Sequence, residues 1–242
     1  MTFLSQGFSG QDNYCLFAAD LLPDSISKVL YLDGDIIVLT DLRELWQTNL
    51  ENAALAGVTD FNYKKHANRL NMTSKYINSG VLLVNLDYQR KNKIVDQFKK
   101  RLLYLDKHED EIVFPDQDIF NYVCDQKIVY LPIRYNLLTP FLLEGISLDD
   151  FKGEKKEIID GVNGIIHYAG YPKPWSFHYY DHPLKPEWMF YFTKSKWSGI
   201  CTEKIPIWKL FLFPILRIFF KLRLIKRSPR FKSRNDILKL KI

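Results

Sequence analysis

The apolar stretch Val29–Leu39, with the sequence VLYLDGDIIVL, is interrupted by Asp33 and Asp35. One continuous buried strand cannot carry two carboxylates, because a buried unpaired charge is strongly unfavourable or takes up a proton. The stretch therefore predicts two strand segments, Lys28–Asp33 and Ile36–Leu39, that meet at a polar turn. Ligands of α/β sheets bind where strands end, so both aspartates are candidate site residues.

Short apolar runs alternate with helical patterns along the rest of the chain. The further expected strands are Ala53–Val58, Val81–Val84, Ile128–Leu131 and Ile165–Ile166. The expected helices are a short turn at Asp41–Trp46, a helix that Asp87 caps and that runs to Leu103, and a helix from Pro115 to Cys124. This alternation predicts an α/β fold with a mostly parallel sheet.

Charge divides the chain unevenly. Residues 201–242 hold 12 Lys and Arg against two acids, and residues 1–200 hold 22 against 26. The mildly acidic body argues against nucleic-acid binding, whereas the basic tail predicts an anionic partner. We therefore expect a folded domain over 1–200 and a basic amphipathic tail over 201–242.

The tail carries an apolar helical face whose members are Ile215, Ile218, Phe219, Leu222 and Ile225. Basic residues lie mostly off this face, which is typical of a helix in a membrane interface. We expect residues 205–235 to bind an anionic membrane surface; the alternative is a docking helix followed by a solvated basic terminus. No secretory signal and no uncharged apolar span of 18 residues is present, and three widely spaced cysteines indicate a reducing compartment. These features predict a cytoplasmic protein that is peripheral at the inner face of the cell membrane.

Asp33 and Asp35 would both face a divalent cation, for which their oxygen atoms suit Mg²⁺ or Mn²⁺. His167 follows an apolar pair at a second expected strand end, and a nitrogen ligand beside two carboxylates favours Mn²⁺. Gly170 permits close backbone approach, and Lys173 offers a point charge to a phosphate. Alone, an Asp-x-Asp pair is as typical of a surface turn, and a single histidine is more typical of a structural role.

Four blocks in order resemble glycosyltransferase family 8, the retaining enzymes that include glycogenin and bacterial lipooligosaccharide galactosyltransferases. The blocks are LLP…KVLYLDGDIIV (Leu21–Val38), YINSGVLLVNL (Tyr76–Leu86), FPDQDIFN (Phe114–Asn121) and HYAGYPKPW (His167–Trp175). The resemblance implies a Rossmann-like nucleotide-sugar-binding fold of the GT-A type. It also implies a UDP-sugar donor and Mn²⁺, with Mg²⁺ as the alternative.

Carried over residue by residue, the resemblance implies that Asp33, Asp35 and His167 hold the metal. Asp116 and Gln117 would flank the reacting carbon as catalytic residues. The positions that the resemblance assigns to donor binding are Asn78, Ser79, Gly170, Lys173 and Asp60. A neutral amide is a poor nucleophile, so front-face attack with Gln117 supporting positive charge on the sugar is the expected route.

The chain departs from the family pattern in two places. Only 32 residues precede Asp33, so we expect an N-terminally truncated fold that lacks the first strand and its uridine-binding residues. Leu16 stands where the family usually has an arginine that contacts the donor. Loss of such a charge-assisted contact would weaken binding by about 1.5–3 kcal/mol.

The leading hypothesis is a retaining glycosyltransferase that moves glucose or galactose from a UDP-sugar to a saccharide or lipid-linked glycan acceptor. The alternative is a non-catalytic remnant or partner subunit at the membrane, which Leu16 and the short N-terminus favour. A haloacid-dehalogenase-like phosphatase with Asp33 as nucleophile is a weak third reading, because the sequence offers no convincing downstream acidic pair and lysine.

Overall fold

The computed structural model describes residues 14–111, 113–144, 147–170, 173–175, 182–198, 232 and 234–240. The strands of these segments are β1 (Lys28–Leu32), β2 (Ile36–Val38), β3 (Leu55–Thr59), β4 (Ile77–Asn85), β5 (Ile128–Leu131), β6 (Leu137–Leu138) and β7 (Ile165–His167). Their helices are α1 (Ala18–Leu21), α2 (Arg43–Trp46), α3 (Tyr63–Arg69), α4 (Leu86–Lys91), α5 (Ile94–Leu105), α6 (Pro115–Val123), α7 (Lys155–Gly161), α8 (Lys185–Lys194) and α9 (Arg234–Leu238). Strands and helices thus alternate as the sequence predicts.

The chain divides into two compact units. Unit 1 comprises residues 1–34 and 40–136, and unit 2 comprises residues 35–39 and 137–242. The chain passes from one unit to the other between Gly34 and Asp35, inside the motif that holds both aspartates.

Unit 1 contains a four-stranded sheet in the order β1-β4-β3-β5. The strand β4 runs antiparallel to both β1 and β3, and only β3 and β5 are parallel. The expectation of a mostly parallel sheet is therefore wrong for this unit. The direction of a strand depends on the end of the sheet at which it begins, and the alternation of elements does not encode that end. The segment with α3 leads back to the end of the sheet at which β3 stops, so β4 begins there and runs antiparallel to β3.

The core of unit 1 forms where α5 and α6 pack with the sheet. Phe98 and Phe120 are fully buried and meet edge to face, with their ring centroids 5.3 Å apart. Leu16 is also fully buried and belongs to the same core cluster. Position 16 is thus an apolar packing position in this chain.

The helix α6 forms as the sequence predicts. Pro115 occupies its first turn, where a missing N–H is harmless, and Asp116 and Asp118 complement the positive end of the helix dipole. Ile119 and Phe120 are fully buried. The helix therefore presents Asp116 and Gln117 from a rigid element.

The predicted helix from Asp87 to Leu103 is wrong in its cap and in its continuity. Asn85 is the N-cap residue, and its side-chain oxygen accepts a 2.9 Å hydrogen bond from the backbone N–H of Tyr88. The helix divides into α4 and α5 because Lys93 adopts a left-handed backbone conformation, with φ of 51°. Asp87 instead lies in the first turn of α4.

Unit 2 contains a three-stranded sheet in the order β2-β7-β6. The strands β2 and β7 are antiparallel, with Ile36 opposite His167, and β6 and β7 are parallel. This register brings the end of β7 beside the start of β2, directly after Asp35. Elsewhere in the unit, α9 is anchored by the fully buried Ile237, and the Lys232 ammonium donates to the carbonyl of Phe141 over 3.1 Å.

Several predictions fall on residues outside the described segments. The expectation that the first strand is missing concerns the region before Leu21, of which residues 1–13 are not described. The amphipathic face at 215–225 lies within 199–231. The proposed domain boundary at residue 200 therefore stays a prediction. Within the described segments, no helix combines the length and the apolar character that a membrane span requires.

Candidate active site

In unit 2, Asp35 lies at the centre of a charged cluster with His167 and Lys173. His167 Nε2 is 3.3 Å from Asp35 Oδ1, and the Lys173 ammonium forms a short ion pair with Asp35 Oδ2. The side chains of Asp35 and His167 are only 10% and 4% exposed. The structure thus brings together three residues that sequence reasoning assigned to one site.

Electrostatics keep the carboxyl of Asp35 ionised. Burial alone would raise its pKa, but hydrogen bonds and charge from His167 and Lys173 outweigh burial and lower the pKa to about 2. An ionised carboxylate beside an imidazole nitrogen is a suitable pair of ligands for Mn²⁺.

Gly170 follows three residues after the end of β7 and has a φ of +82°. L-amino acids with a side chain rarely adopt this conformation, so glycine suits the position. A Cβ atom placed there would meet no atom within 4 Å. The backbone at Gly170 is therefore accessible to close approach, and its contact with a diphosphate stays a prediction.

In unit 1, Asp33 and Asp116 lie in one electrostatic environment. The backbone N–H of Asp33 donates to the carbonyl of Gly80 over 2.9 Å, which extends the pairing of β1 with β4. Burial raises the pKa of Asp116 to about 6, and the charge of Asp33 adds to the rise, whereas a hydrogen bond with Ser79 opposes it. Burial and the Asp33 charge likewise raise the pKa of the Tyr31 phenol. Two neighbouring carboxylates create a negative region that would attract positive charge.

Gln117, Asn78 and Ser79 form an amide cluster in unit 1. Gln117 Oε1 accepts hydrogen bonds from Asn78 Nδ2 at 2.9 Å, from the Ser79 backbone N–H at 3.0 Å and from Ser79 Oγ at 3.4 Å. Asn78 Oδ1 in turn accepts from the backbone N–H of Gly80 and from Asn136 Nδ2. These amides hold the first half of β4 against α6.

Three residues around this cluster were missed by the sequence reasoning, namely Tyr76, Asp118 and Arg69. The phenol of Tyr76 donates to Asp118 Oδ1 over 2.6 Å, and Gln117 Nε2 donates to that phenol over 3.1 Å. Arg69 Nη2 lies 2.5 Å from Asp118 Oδ1. The sequence gives a partial signal for Asp118 alone, because polar residues alternate with apolar ones along α6, and it gives none for Tyr76 or Arg69.

Asp60 follows β3, as predicted, and takes part in local structure. Its backbone N–H donates to the carbonyl of Tyr76 over 2.9 Å, and its Oδ1 accepts from the backbone N–H of Asn62 over 2.8 Å. Asp60 therefore orders the turn that precedes α3, and a role in donor binding stays a prediction.

The model of glycosyl transferase family 8 matches residues 3–178. The chain is 30% identical to general stress protein A of Bacillus subtilis, over 77% of this chain and 66% of that protein. It is 29% identical to a lipopolysaccharide 1,2-glucosyltransferase of Escherichia coli K12, over 80% of this chain and 54% of that protein. This chain thus belongs to glycosyl transferase family 8, and it spans less than two thirds of the length of these curated relatives.

The fold resembles that of the galactosyltransferase LgtC, solved with donor and acceptor sugar analogues. The TM-score is 0.61 at 23% identity, over 80% of this chain and 68% of that chain. The glycosyltransferase GlyE of Streptococcus pneumoniae TIGR4 has a TM-score of 0.55, over 88% of this chain and 47% of that chain. These similarities confirm the predicted Rossmann-like glycosyltransferase fold of the GT-A type.

Proposed function

We propose that the chain is a retaining hexosyltransferase that transfers glucose or galactose from a UDP-sugar to a saccharide or lipid-linked glycan acceptor. The observation that carries the proposal is the charged cluster, in which Asp35 stays ionised beside His167 and Lys173. A sugar–diphosphate bond breaks more easily where positive charge meets the departing oxygen. Lys173 supplies such a charge, and its side chain is 29% exposed, so that a ligand can reach it.

The residues fit a divalent metal. Asp35 and His167 of unit 2 offer an ionised carboxylate and an imidazole nitrogen, and Asp33 is the third ligand that the family resemblance assigns. This set of two oxygens and one nitrogen suits Mn²⁺, with Mg²⁺ as the alternative. When bound, the metal supplies positive charge beside the diphosphate.

The transfer itself breaks the bond between the anomeric carbon and the diphosphate oxygen. The acceptor hydroxyl oxygen forms the new bond on the same face of the sugar, and its proton passes to the departing diphosphate oxygen. Gln117 and the ionised form of Asp116 are proposed to flank the reacting carbon, with Gln117 supporting the positive charge that develops on the sugar ring. Asn78, Ser79 and Asp60 are proposed to line the donor sugar, and Gly170 the diphosphate.

Calorimetric titration with UDP tests the proposal, with and without Mn²⁺. We expect binding that requires Mn²⁺ in the parent chain and that is lost in Asp35→Ala. Asp41→Ala is the matched control, because Asp41 is an exposed aspartate six residues further along the chain. Release of UDP from UDP-glucose and UDP-galactose then identifies the preferred donor. If the folded parent chain binds no UDP, the proposal of an active transferase is overturned, and the alternative of a non-catalytic partner subunit is favoured.

We further propose a position at the inner face of an anionic membrane, and α8 supports it. This helix buries none of its residues, and Phe190, Tyr191 and, beyond its end, Trp197 are 53%, 43% and 56% exposed. The Lys194 ammonium lies 3.7 Å from the centroid of the Phe190 ring. Exposed aromatic rings among lysines suit the boundary between lipid head groups and acyl chains.

Sedimentation with vesicles tests this position. We expect the parent chain to bind phosphatidylglycerol vesicles more strongly than phosphatidylcholine vesicles. The triple variant Phe190→Ser, Tyr191→Ser, Trp197→Ser should bind more weakly, whereas Trp46→Ser, at an exposed tryptophan of unit 1, should bind as the parent does. Equal binding by the triple variant would contradict the role of α8.

A further inference from the structure

Tyr76 is a fully buried tyrosine whose hydroxyl has both a donor and an acceptor role. It immediately precedes β4, and its phenol donates to Asp118 Oδ1 over 2.6 Å. Burial, together with the neighbouring charge of Asp118, raises the pKa of this phenol, so it keeps its proton. Because its single proton is donated to Asp118, the phenol oxygen can only accept from a third group.

Asp118 fixes the direction of that proton. Its side chain is 4% exposed, and Oδ1 also receives Arg69 Nη2 at 2.5 Å. Its other oxygen, Oδ2, accepts from the backbone N–H groups of Val113 at 3.2 Å and Phe114 at 3.1 Å. A carboxylate has about four acceptor positions, and four donors engage this one. We call Arg69, Asp118 and Tyr76 the supporting network.

The supporting network determines which way the Gln117 amide points. Gln117 Nε2 must face the Tyr76 oxygen, to which it donates over 3.1 Å, and Oε1 must therefore face Asn78 and Ser79. In the reversed orientation, the amide N–H groups would oppose the donor groups of Asn78 and Ser79, and the amide oxygen would oppose the Tyr76 oxygen. Three hydrogen bonds would then be lost. The network thus holds Gln117 in one orientation.

The position of Ser79 depends on this orientation. Its backbone N–H donates to Gln117 Oε1 over 3.0 Å, and its hydroxyl bonds to the carboxylate of Asp116. A disturbance at Tyr76 would therefore reach Asp116 through Gln117 and Ser79. Arg69, Asp118 and Tyr76 need not contact a sugar to affect its transfer.

We propose that Arg69, Asp118 and Tyr76 are positioning residues for glycosyl transfer, which act by fixing the Gln117 amide and, through it, Ser79 and Asp116. This inference rests on the proposed function, since it concerns the rate of that transfer. Small displacements of groups beside a reacting atom can reduce rates by as much as about 100-fold.

Tyr76→Phe tests the proposal, because it removes only the hydroxyl from a buried ring. We expect kcat for Mn²⁺-dependent release of UDP from UDP-glucose or UDP-galactose to fall about 10- to 100-fold, with KM for the donor changed less than about twofold. Tyr130→Phe is the matched control, since the Tyr130 hydroxyl bonds only to the backbone of Lys75 among the described contacts. An unchanged kcat in a folded Tyr76→Phe chain would overturn the proposal.

Substitutions of Arg69 provide a second test that does not alter the Tyr76 ring. Arg69→Lys keeps the positive charge beside Asp118, whereas Arg69→Met removes it. We expect Arg69→Lys to retain more than about half of the parent kcat and Arg69→Met to lose about tenfold, with KM nearly constant in both. Equal loss in the two variants would overturn a role for the charge.

A readout that does not require turnover distinguishes failure of this inference from failure of the proposed function. The side-chain amide resonances of Gln117, assigned by their loss in Gln117→Glu, should shift and lose protection from hydrogen exchange in Tyr76→Phe and stay unchanged in Tyr130→Phe. An inactive parent chain would overturn the transferase reaction. Unchanged Gln117 resonances in Tyr76→Phe would overturn the supporting network itself.

Discussion

The charged cluster in unit 2 and the amide cluster in unit 1 organise polar side chains in different ways. In the charged cluster, full charges meet on partly accessible side chains, and Lys173 is 29% exposed. In the amide cluster, neutral groups form a closed set of hydrogen bonds, and Gln117 is only 6% exposed. The first arrangement leaves charge available to a ligand, whereas the second engages its amide groups mainly with one another.

This difference indicates a division of roles. A partly exposed lysine paired with a largely buried carboxylate can exchange its partner for a ligand phosphate. A buried amide whose oxygen and nitrogen both make hydrogen bonds within the protein loses stability if it leaves them. We therefore expect variants of the charged cluster to reduce activity most, and variants around the amide cluster to reduce stability and the precision of the site.

The largest expected effect is that of Asp35→Asn on activity. The substitution removes the negative charge that faces His167 and Lys173, and with it a proposed metal ligand. We expect the rate of UDP release to fall about 10²- to 10³-fold, as when one group that stabilises transition-state charge is lost. Asp41→Asn should retain the parent rate. A rate of Asp35→Asn within tenfold of the parent would contradict the role of the charged cluster.

The next effect concerns stability and compares two arginines of unit 1. Arg69 and Arg134 have side chains that are 26% and 27% exposed, but Asp118 is 4% exposed, whereas Glu44 is 74% exposed. Arg69→Leu leaves a buried carboxylate without its cation, and we expect a loss of about 3 kcal/mol in the free energy of unfolding. Arg134→Leu should lose less than about 1 kcal/mol.

Urea unfolding of the two variants measures this contrast. If Arg69→Leu and Arg134→Leu lose similar amounts of unfolding free energy, burial of the acidic partner does not determine how much the ion pair stabilises the fold. The supporting network would then not depend on Arg69 for its stability.

The third prediction concerns Gln117→Glu and its dependence on pH. The new carboxyl would place an acceptor against the Tyr76 oxygen, whose proton already goes to Asp118. Burial and the charge of Asp118 would raise the pKa of this carboxyl, so the folded chain would hold a proton that the unfolded chain releases above about pH 4.3. The stability loss should therefore grow as pH rises, to about 2 kcal/mol at pH 8 and under about 1 kcal/mol at pH 4.5.

Gln126→Glu is the control for this experiment, because Gln126 is an exposed glutamine of the same unit. Thermal unfolding at both pH values should show little difference between Gln126→Glu and the parent. An equal loss for Gln117→Glu at both pH values would mean that the new carboxyl does not compete for the Tyr76 proton.

The smallest effect is expected for Asp116→Asn. The pKa of Asp116 is raised to about 6 in the folded chain, so its ionised form destabilises the fold above that pH. This destabilisation is absent below the unfolded pKa of about 3.8 and grows as pH rises toward 6. The shift of about two pKa units corresponds to at most about 3 kcal/mol, but the substitution also removes the carboxylate to which Ser79 bonds. Asp116→Asn should therefore gain a net of about 1 kcal/mol relative to the parent at pH 8 and nothing at pH 3.5. Asp96→Asn, at a 61% exposed side chain, should gain nothing at either pH in urea unfolding.

The sequence predicts much of the fold because local signals decide it. The proline and the acidic first turn of α6, and the break between β1 and β2, are readable from neighbouring residues. Strand direction was not predictable, since it depends on the end of the sheet to which each connection returns. The cap at Asn85 was missed because Asn85 and Asp87 offer similar side chains, and only the tertiary position of β4 distinguishes them.

The sequence also predicts part of the candidate site from local signals. Asp35 and His167 each follow an apolar run, and the rule that ligands meet strand ends brings them together. The bond between Tyr76 and Asp118 joins residues 42 positions apart, and no local pattern encodes it. Supporting residues of this kind become visible only when the packing of α6 beside β4 is known.

The burial of Leu16 has a consequence for anyone who redesigns this chain by consensus. The family resemblance suggests Leu16→Arg as an obvious repair of a lost donor contact. In this chain position 16 has no solvent exposure and lies among core residues, so the repair would place a guanidinium in an apolar interior. A consensus library should therefore vary the core residues around position 16 together with that position. Leu16→Arg alone would destabilise the fold, and variants that carry it would be lost from a selection for folded protein.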